Sequence, residues 1–297
     1  MKFTQTGTVK KNFLEEPVTL NPMAKIPNIL LEKLDYFLGF VAKDQSTLIT
    51  DYVQNLTTKY QQLVAGDFGD TSAGIIEERF PQFTNLTQYP ALNTAALNYF
   101  LHLLQVADKS AWDTDVTTSM KALIPAWTFP SYYFLQTLAE TMGKQEAVKL
   151  FKRYITQYHI DHPSPDRAKF VSLEKRLEQQ LSGNTTASEW VIVHALLEDG
   201  KYAFKNKNCP TCADVMVDLP DVELKYLAAC YGDYGAFRAN TSDHIILTME
   251  HTIIEGDPYC SRVLHDTRID YKLRHPPKEF WDNFEPGKEE EAMKYYH

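Results

Sequence analysis

The side chains best suited to chemistry gather in the last third of this 297-residue chain, where all four cysteines, Cys209, Cys212, Cys230 and Cys260, are found. Cys209 and Cys212 have the two-residue gap of a metal-ligand pair, and Cys230 and Cys260 could complete a four-thiolate zinc or iron site. The later gaps are irregular and no second close pair exists, so a cofactor-free reading is favoured and zinc is the alternative. Free cysteines also serve as small buried hydrophobes, which is the plain structural reading. The N-terminal MKFTQTGTVKKNF lacks the apolar stretch of a secretory signal, so a reducing cytoplasm is expected rather than disulfides.

A second group of candidates lies on a hairpin. Ile245, Leu247, Met249, His251 and Ile253 alternate with more polar neighbours, Glu255-Gly256-Asp257-Pro258 reads as a turn, and Tyr259 to Asp266 returns as the partner strand. If Ile254 lies opposite Tyr259, antiparallel counting pairs Ile253 with Cys260, His251 with Arg262 and Met249 with Leu264. Cys260, His251 and Arg262 would then share one face. There Arg262 could lower the pKa of Cys260 or clamp a substrate carboxylate, while His251 carries a proton near neutral pH. Glu250 and Tyr259 on the same hairpin, with Arg238 upstream, are further candidates for holding substrate. A one-residue slip in register would turn the group to the other face.

Cys230 ends a predicted helix over 221–230, and Asp233 follows it across Tyr231-Gly232. Asp233 could orient water or hold a cationic nitrogen. A helix C-terminus disfavours a thiolate, so Cys230 needs Arg238 or Arg262 nearby to act as a nucleophile.

The elements that must position these residues divide the chain into an arm (1–27), a helical region (28–181), an α+β domain with an antiparallel sheet (182–270) and a C-terminal extension (271–297). Leu31, Leu34, Phe37, Leu38 and Val41 form a helical stripe, and further helices are predicted at about 47–65, 92–106 and 131–158, the last broken at Gly143. Trp127, Phe129, Tyr132, Tyr133 and Phe134 are either helix packing or a ligand-facing wall. Trp190 to Leu197 and Lys201 to Phe204 read as two strands about a turn. Phe280, Trp281 and Phe284 could pack a short helix or complete a homo-oligomer interface.

Composition excludes some partners. The net charge of -9 opposes nonspecific attraction to nucleic acid. No apolar run is long enough to span a membrane, which leaves a small molecule as the expected partner.

The segments Phe204 to Pro210, Cys230-Tyr-Gly-Asp233 and Glu255 to Cys260, with the helix around Leu138, Gly143, Glu146 and Ala147, resemble the L-2-amino-thiazoline-4-carboxylic acid hydrolase family. The resemblance covers roughly residues 125–268 and departs at Ser261, where an acidic residue is expected; Arg262 and His265 add local variation. It implies a hydrolase that opens a small cyclic amidine, and marks Cys209, Cys230, Asp233 and Cys260 as its site positions. Cys230 or Cys260 would attack the amidine carbon, or Asp233 would direct water to it, with His251 available to move a proton. The competing class is a small-molecule binding or sensing protein, with a structural zinc site as its steadying element.

Overall fold

A computed structural model describes residues 1–64, 73–106, 112–163, 172–182, 189–210 and 213–296. Cys212 therefore lies outside the described residues. Along the chain run β1 (Thr4–Thr6), β2 (Pro17–Leu20), α1 (Pro22–Ile26), a π-turn at Pro27–Leu31, α2 (Glu32–Asp44), α3 (Ile49–Leu63), α4 (Ile75–Arg79), α5 (Pro90–Leu103), β3 (Val116–Ser119), α6 (Met120–Met142), α7 (Lys144–Asp161) and α8 (Leu173–Ser182). They are followed by β4 (Ile192–Leu197), β5 (Lys201–Asn206), α9 (Val222–Ala229), α10 (Gly232–Asn240), β6 (Ile245–Met249), β7 (Cys260–Asp266), α11 (Lys278–Asp282) and α12 (Glu289–Met293). The fold is α+β.

The chain forms two compact units that do not follow sequence order. A sheet unit comprises Met1–Phe13, His159–Val222 and Tyr231–His297, and a helical unit comprises Leu14–Tyr158 and Glu223–Cys230. The N-terminal residues expected as a surface arm are thus divided: β1 is an edge strand of the main sheet, whereas β2 pairs with β3 in the helical unit.

In the helical unit the periodic apolar positions become its core. Leu34, Phe37, Leu38 and Val41 of α2 are buried, and Phe37 stacks on Phe134 of α6 with ring centroids 5.5 Å apart. Tyr132 and Phe134 are fully buried and Tyr133 meets Tyr99 edge-on, so of the two roles expected for this aromatic cluster these residues take helix packing. Gly143, at φ +88, separates α6 from α7 as the sequence indicates. Helix α6 starts earlier than its predicted position at Ser131. Pro125 and Pro130 lie inside it, and proline normally reads as a boundary; here burial of Ala122, Leu123, Ile124 and Ala126 overrides that preference.

The sheet unit is built on five antiparallel strands in the order β1-β4-β5-β7-β6. Strand alternation gives the sheet two buried faces. One carries Val193, Ala195, Leu197, Ala203 and Val263 and is covered by Phe3 and by Phe280, Trp281 and Phe284, all at most 1 % exposed. These three C-terminal aromatics are therefore spent inside the chain's own core. The other carries Tyr202, Phe204, Leu247 and Leu264 and packs against Leu173 of α8 and Phe237 of α10. Buried Lys205 donates to the carbonyls of Trp281 and Phe284 and to Glu285 Oε1, holding the α11 segment on its face.

Candidate functional site

The β6–β7 register decides which candidates meet. Met249 lies opposite Arg262 and Leu247 opposite Leu264, two residues from the pairing expected for this hairpin. A two-residue shift preserves the faces, so Arg262 and Leu264 keep their predicted side. Strand β6, however, ends at Met249 rather than continuing to Ile253. Beyond it Ser261 N donates to His251 O at 3.0 Å and His251 N donates to Ser261 Oγ at 3.1 Å. His251 thus pairs with Ser261 instead of Arg262, and Glu250 is the extra residue of a bulge.

The bulge separates the predicted trio. The His251 ring lies edge-on to Tyr259 at 5.6 Å, with Nδ1 3.8 Å from Asp257 Oδ1. Tyr259 belongs to the core face covered by the C-terminal helices, where its hydroxyl donates to Asp282 at 2.9 Å. Cys260 and Arg262 alternate with Ser261 and Val263 and take the opposite face. Glu250 is exposed just beyond β6, and Arg238 is exposed on α10. His251 therefore does not share the Cys260 face, because β6 ends before the predicted pairing can form, and Tyr259 lies off that face by simple strand alternation.

Arg262 instead meets Asp233. The predicted helix ending near Cys230 is α9, but a second helix, α10, begins at Gly232 and puts Asp233 in its first turn. A carboxylate there is favoured by the helix dipole. Asp233 Oδ2 accepts from Arg262 Nη2 at 2.9 Å; the Asp233 side chain is 38 % exposed and that of Arg262 only 10 %. The guanidinium is held inside while the carboxylate faces outward.

Cys260 lies two residues before Arg262 on the same face of β7. It is 4 % exposed, and its Sγ accepts from Ile253 N at 3.3 Å. Burial pushes the thiol pKa up; the neighbouring Arg262 charge and the Ile253 N–H oppose that shift, while Cys209 adds to it. Cys209 is buried in the same unit, and Cys230 is buried at the end of the helical unit, its N–H donating to Tyr226 O. None of these three is in a disulfide. Among the described residues no group of three or more Cys, His, Asp or Glu has the arrangement of a metal site, and the thiols shown divide between units. A surface depression of about 500 Å³ lies in the helical unit, where Asp44, Met142, Glu146 and Arg153 line it, and contains none of the candidate residues.

The other sheet face carries a largely buried polar run that no local sequence motif marks. Ser261 and His265 on β7, Thr248 on β6, Asp270 and His275 are joined by successive hydrogen bonds of 2.6 to 2.9 Å. The one signal for it is the alternation Ser261-Val263-His265, which puts two polar groups at core positions of a strand.

Compared with known proteins, the chain matches no family model, no curated sequence and no solved structure. Among the described residues no helix is long and apolar enough to cross a membrane.

Proposed function

We propose that this protein is a hydrolase that opens a small cyclic amidine or thiazoline-like ring at a C–N bond by water that Asp233 directs. The observation that carries the reading is the Asp233–Arg262 pair: a carboxylate held at 2.9 Å by a nearly buried guanidinium, with over a third of its own side chain exposed. The substrate class follows from the family resemblance. Asp233 takes a proton from water as the oxygen adds to the amidine carbon and the C=N electron pair moves to the ring nitrogen. Asp233 returns that proton to the nitrogen, and as the added hydroxyl gives up its own proton to the same nitrogen and becomes a carbonyl, the carbon–nitrogen bond breaks. Arg262 is the group suited to a substrate carboxylate.

Burial and raised proton affinity favour the water-directed route over attack by Cys260. Purified full-length protein is incubated with 2-amino-thiazoline-4-carboxylate and related cyclic amidines, and ring opening is followed by mass spectrometry. Addition of one water mass to a member of the panel supports the reading. Binding without any ring opening across the panel sinks it in favour of a small-molecule binding protein.

A further inference from the structure

The polar run beneath β7 has a direction that its two ends dictate. Asp270 Oδ2 sits 2.6 Å from His265 Nδ1 and 3.1 Å from Lys201 Nζ, and Lys201 also pairs with Asp199. Burial alone would raise the Asp270 pKa, but bonds from His265 and Lys201 outweigh it and keep the carboxyl ionised, so it can only accept. His265 Nδ1 must therefore carry a proton. Burial holds His265 neutral near pH 7, so its Nε2 accepts from Thr248 Oγ1 at 2.7 Å.

Thr248 has one proton and has spent it on His265. The 2.9 Å contact between Thr248 Oγ1 and His275 Nδ1 then requires His275 to donate. His275 is also buried and neutral, with its pKa lowered to about 3, so its Nε2 accepts from Ser261 Oγ at 2.9 Å. Ser261 Oγ in turn accepts from His251 N–H, a group that can only donate. Every donor is matched with one acceptor, and both histidines are Nδ1–H tautomers.

The far end of this run is the turn that leads into β7, the strand that carries Arg262. Ser261 stands between Cys260 and Arg262, its Oγ supplies one of the two bonds that close the bulge onto His251, and two residues beyond His251 the Ile253 N–H meets Cys260 Sγ. We infer that Thr248 and His275 are positioning residues for the Asp233–Arg262 site, acting through a proton-ordered relay from Asp270 that fixes Ser261 and the turn from His251 to Cys260. This assignment rests on the proposed site, but its test does not rest on turnover.

The test compares full-length wild type with Thr248→Ser, which keeps the hydroxyl, and Thr248→Val, which removes it at nearly constant shape. Long-range proton–nitrogen NMR reads the His275 tautomer, and iodoacetamide labelling with mass spectrometry reads the rate at which Cys260 becomes accessible. Wild type and Thr248→Ser should show Nδ1–H on His275 and equal labelling. Thr248→Val should move His275 to Nε2–H and speed Cys260 labelling by about five- to tenfold, the effect of losing roughly one buried hydrogen bond. An Nε2–H tautomer in wild type overturns the relay, a result that stands even if Thr248→Val does not fold. A folded valine variant with unchanged tautomer or unchanged labelling overturns the positioning role. None of these readouts uses ring opening, so failure of the hydrolase reading is seen separately.

Discussion

Arg262 on β7 donates to Asp233 in the first turn of α10 at 2.9 Å, tying a helix start to a central strand through one charge-assisted bond. Because the carboxylate is more than a third exposed, solvent screens the pair and its contribution to stability is small. Asp233→Asn keeps shape and a hydrogen-bonding oxygen beside Arg262. It should lower the unfolding free energy by less than about 1 kcal/mol in urea titrations. Arg262→Ala should be the more damaging of the two, since it also removes buried side-chain volume from the sheet.

Cys260 should behave as a packed thiol. Burial raises its pKa, so the thiolate fraction at neutral pH is smaller than for a free cysteine. Iodoacetamide should label native Cys260 more slowly than the same residue in urea, with the pH midpoint of native labelling above that of the denatured chain. Equal rates and midpoints in the two states would contradict the burial described for this residue.

The hairpin shows how far sequence carries the site. Strand alternation puts Cys260 and Arg262 on one face because they are two residues apart in β7, and the two-residue change of register leaves them on the same side as Leu247 and Met249 of β6. It could not reveal the bulge at Glu250, which depends on the Ser261 hydroxyl serving as an acceptor for His251 N–H. That single residue sends His251 toward Tyr259. Gly232 similarly reads as a helix stop after Cys230, although α10 starts there. The Thr248, Ser261, His265, Asp270 and His275 relay has no local motif, since its members meet only when two strands and the following loop pack together.

Acid should weaken the sheet unit through its buried histidines. His194, between Thr6 and Tyr202, has its pKa lowered to about 4 by burial, and His275 to about 3. Both folded values lie below the ordinary value near 6.5, so the unfolded chain binds more protons between them. Their stabilisation is complete above about pH 6.5 and is lost as pH falls toward 4 and 3, on the order of 3 kcal/mol or more in total. Chemical denaturation at pH 7 and pH 4.5 checks this. His194→Gln should flatten the dependence.

Gly200 turns β4 into β5 at φ +82, and a Cβ there would lie 2.7 Å from Ile269 Cβ. Gly200→Ala combines left-handed strain with a clash in the loop that carries Asp270. It should destabilise the protein by about 1 to 3 kcal/mol. Gly256, also at positive φ but with open space around it, should lose less on the same change, and thermal melts of the two variants rank them.

Ring opening of 2-amino-thiazoline-4-carboxylate and related cyclic amidines by wild type, Asp233→Asn and Cys260→Ala, followed by mass spectrometry, tests the central claim most directly. Folding of each variant is verified by circular dichroism. Wild type should add water to a substrate of this class, Asp233→Asn should lose at least about 100-fold in kcat/KM, and Cys260→Ala should stay within about tenfold of wild type. Absence of ring opening by folded wild type, or full activity in Asp233→Asn, would contradict the account.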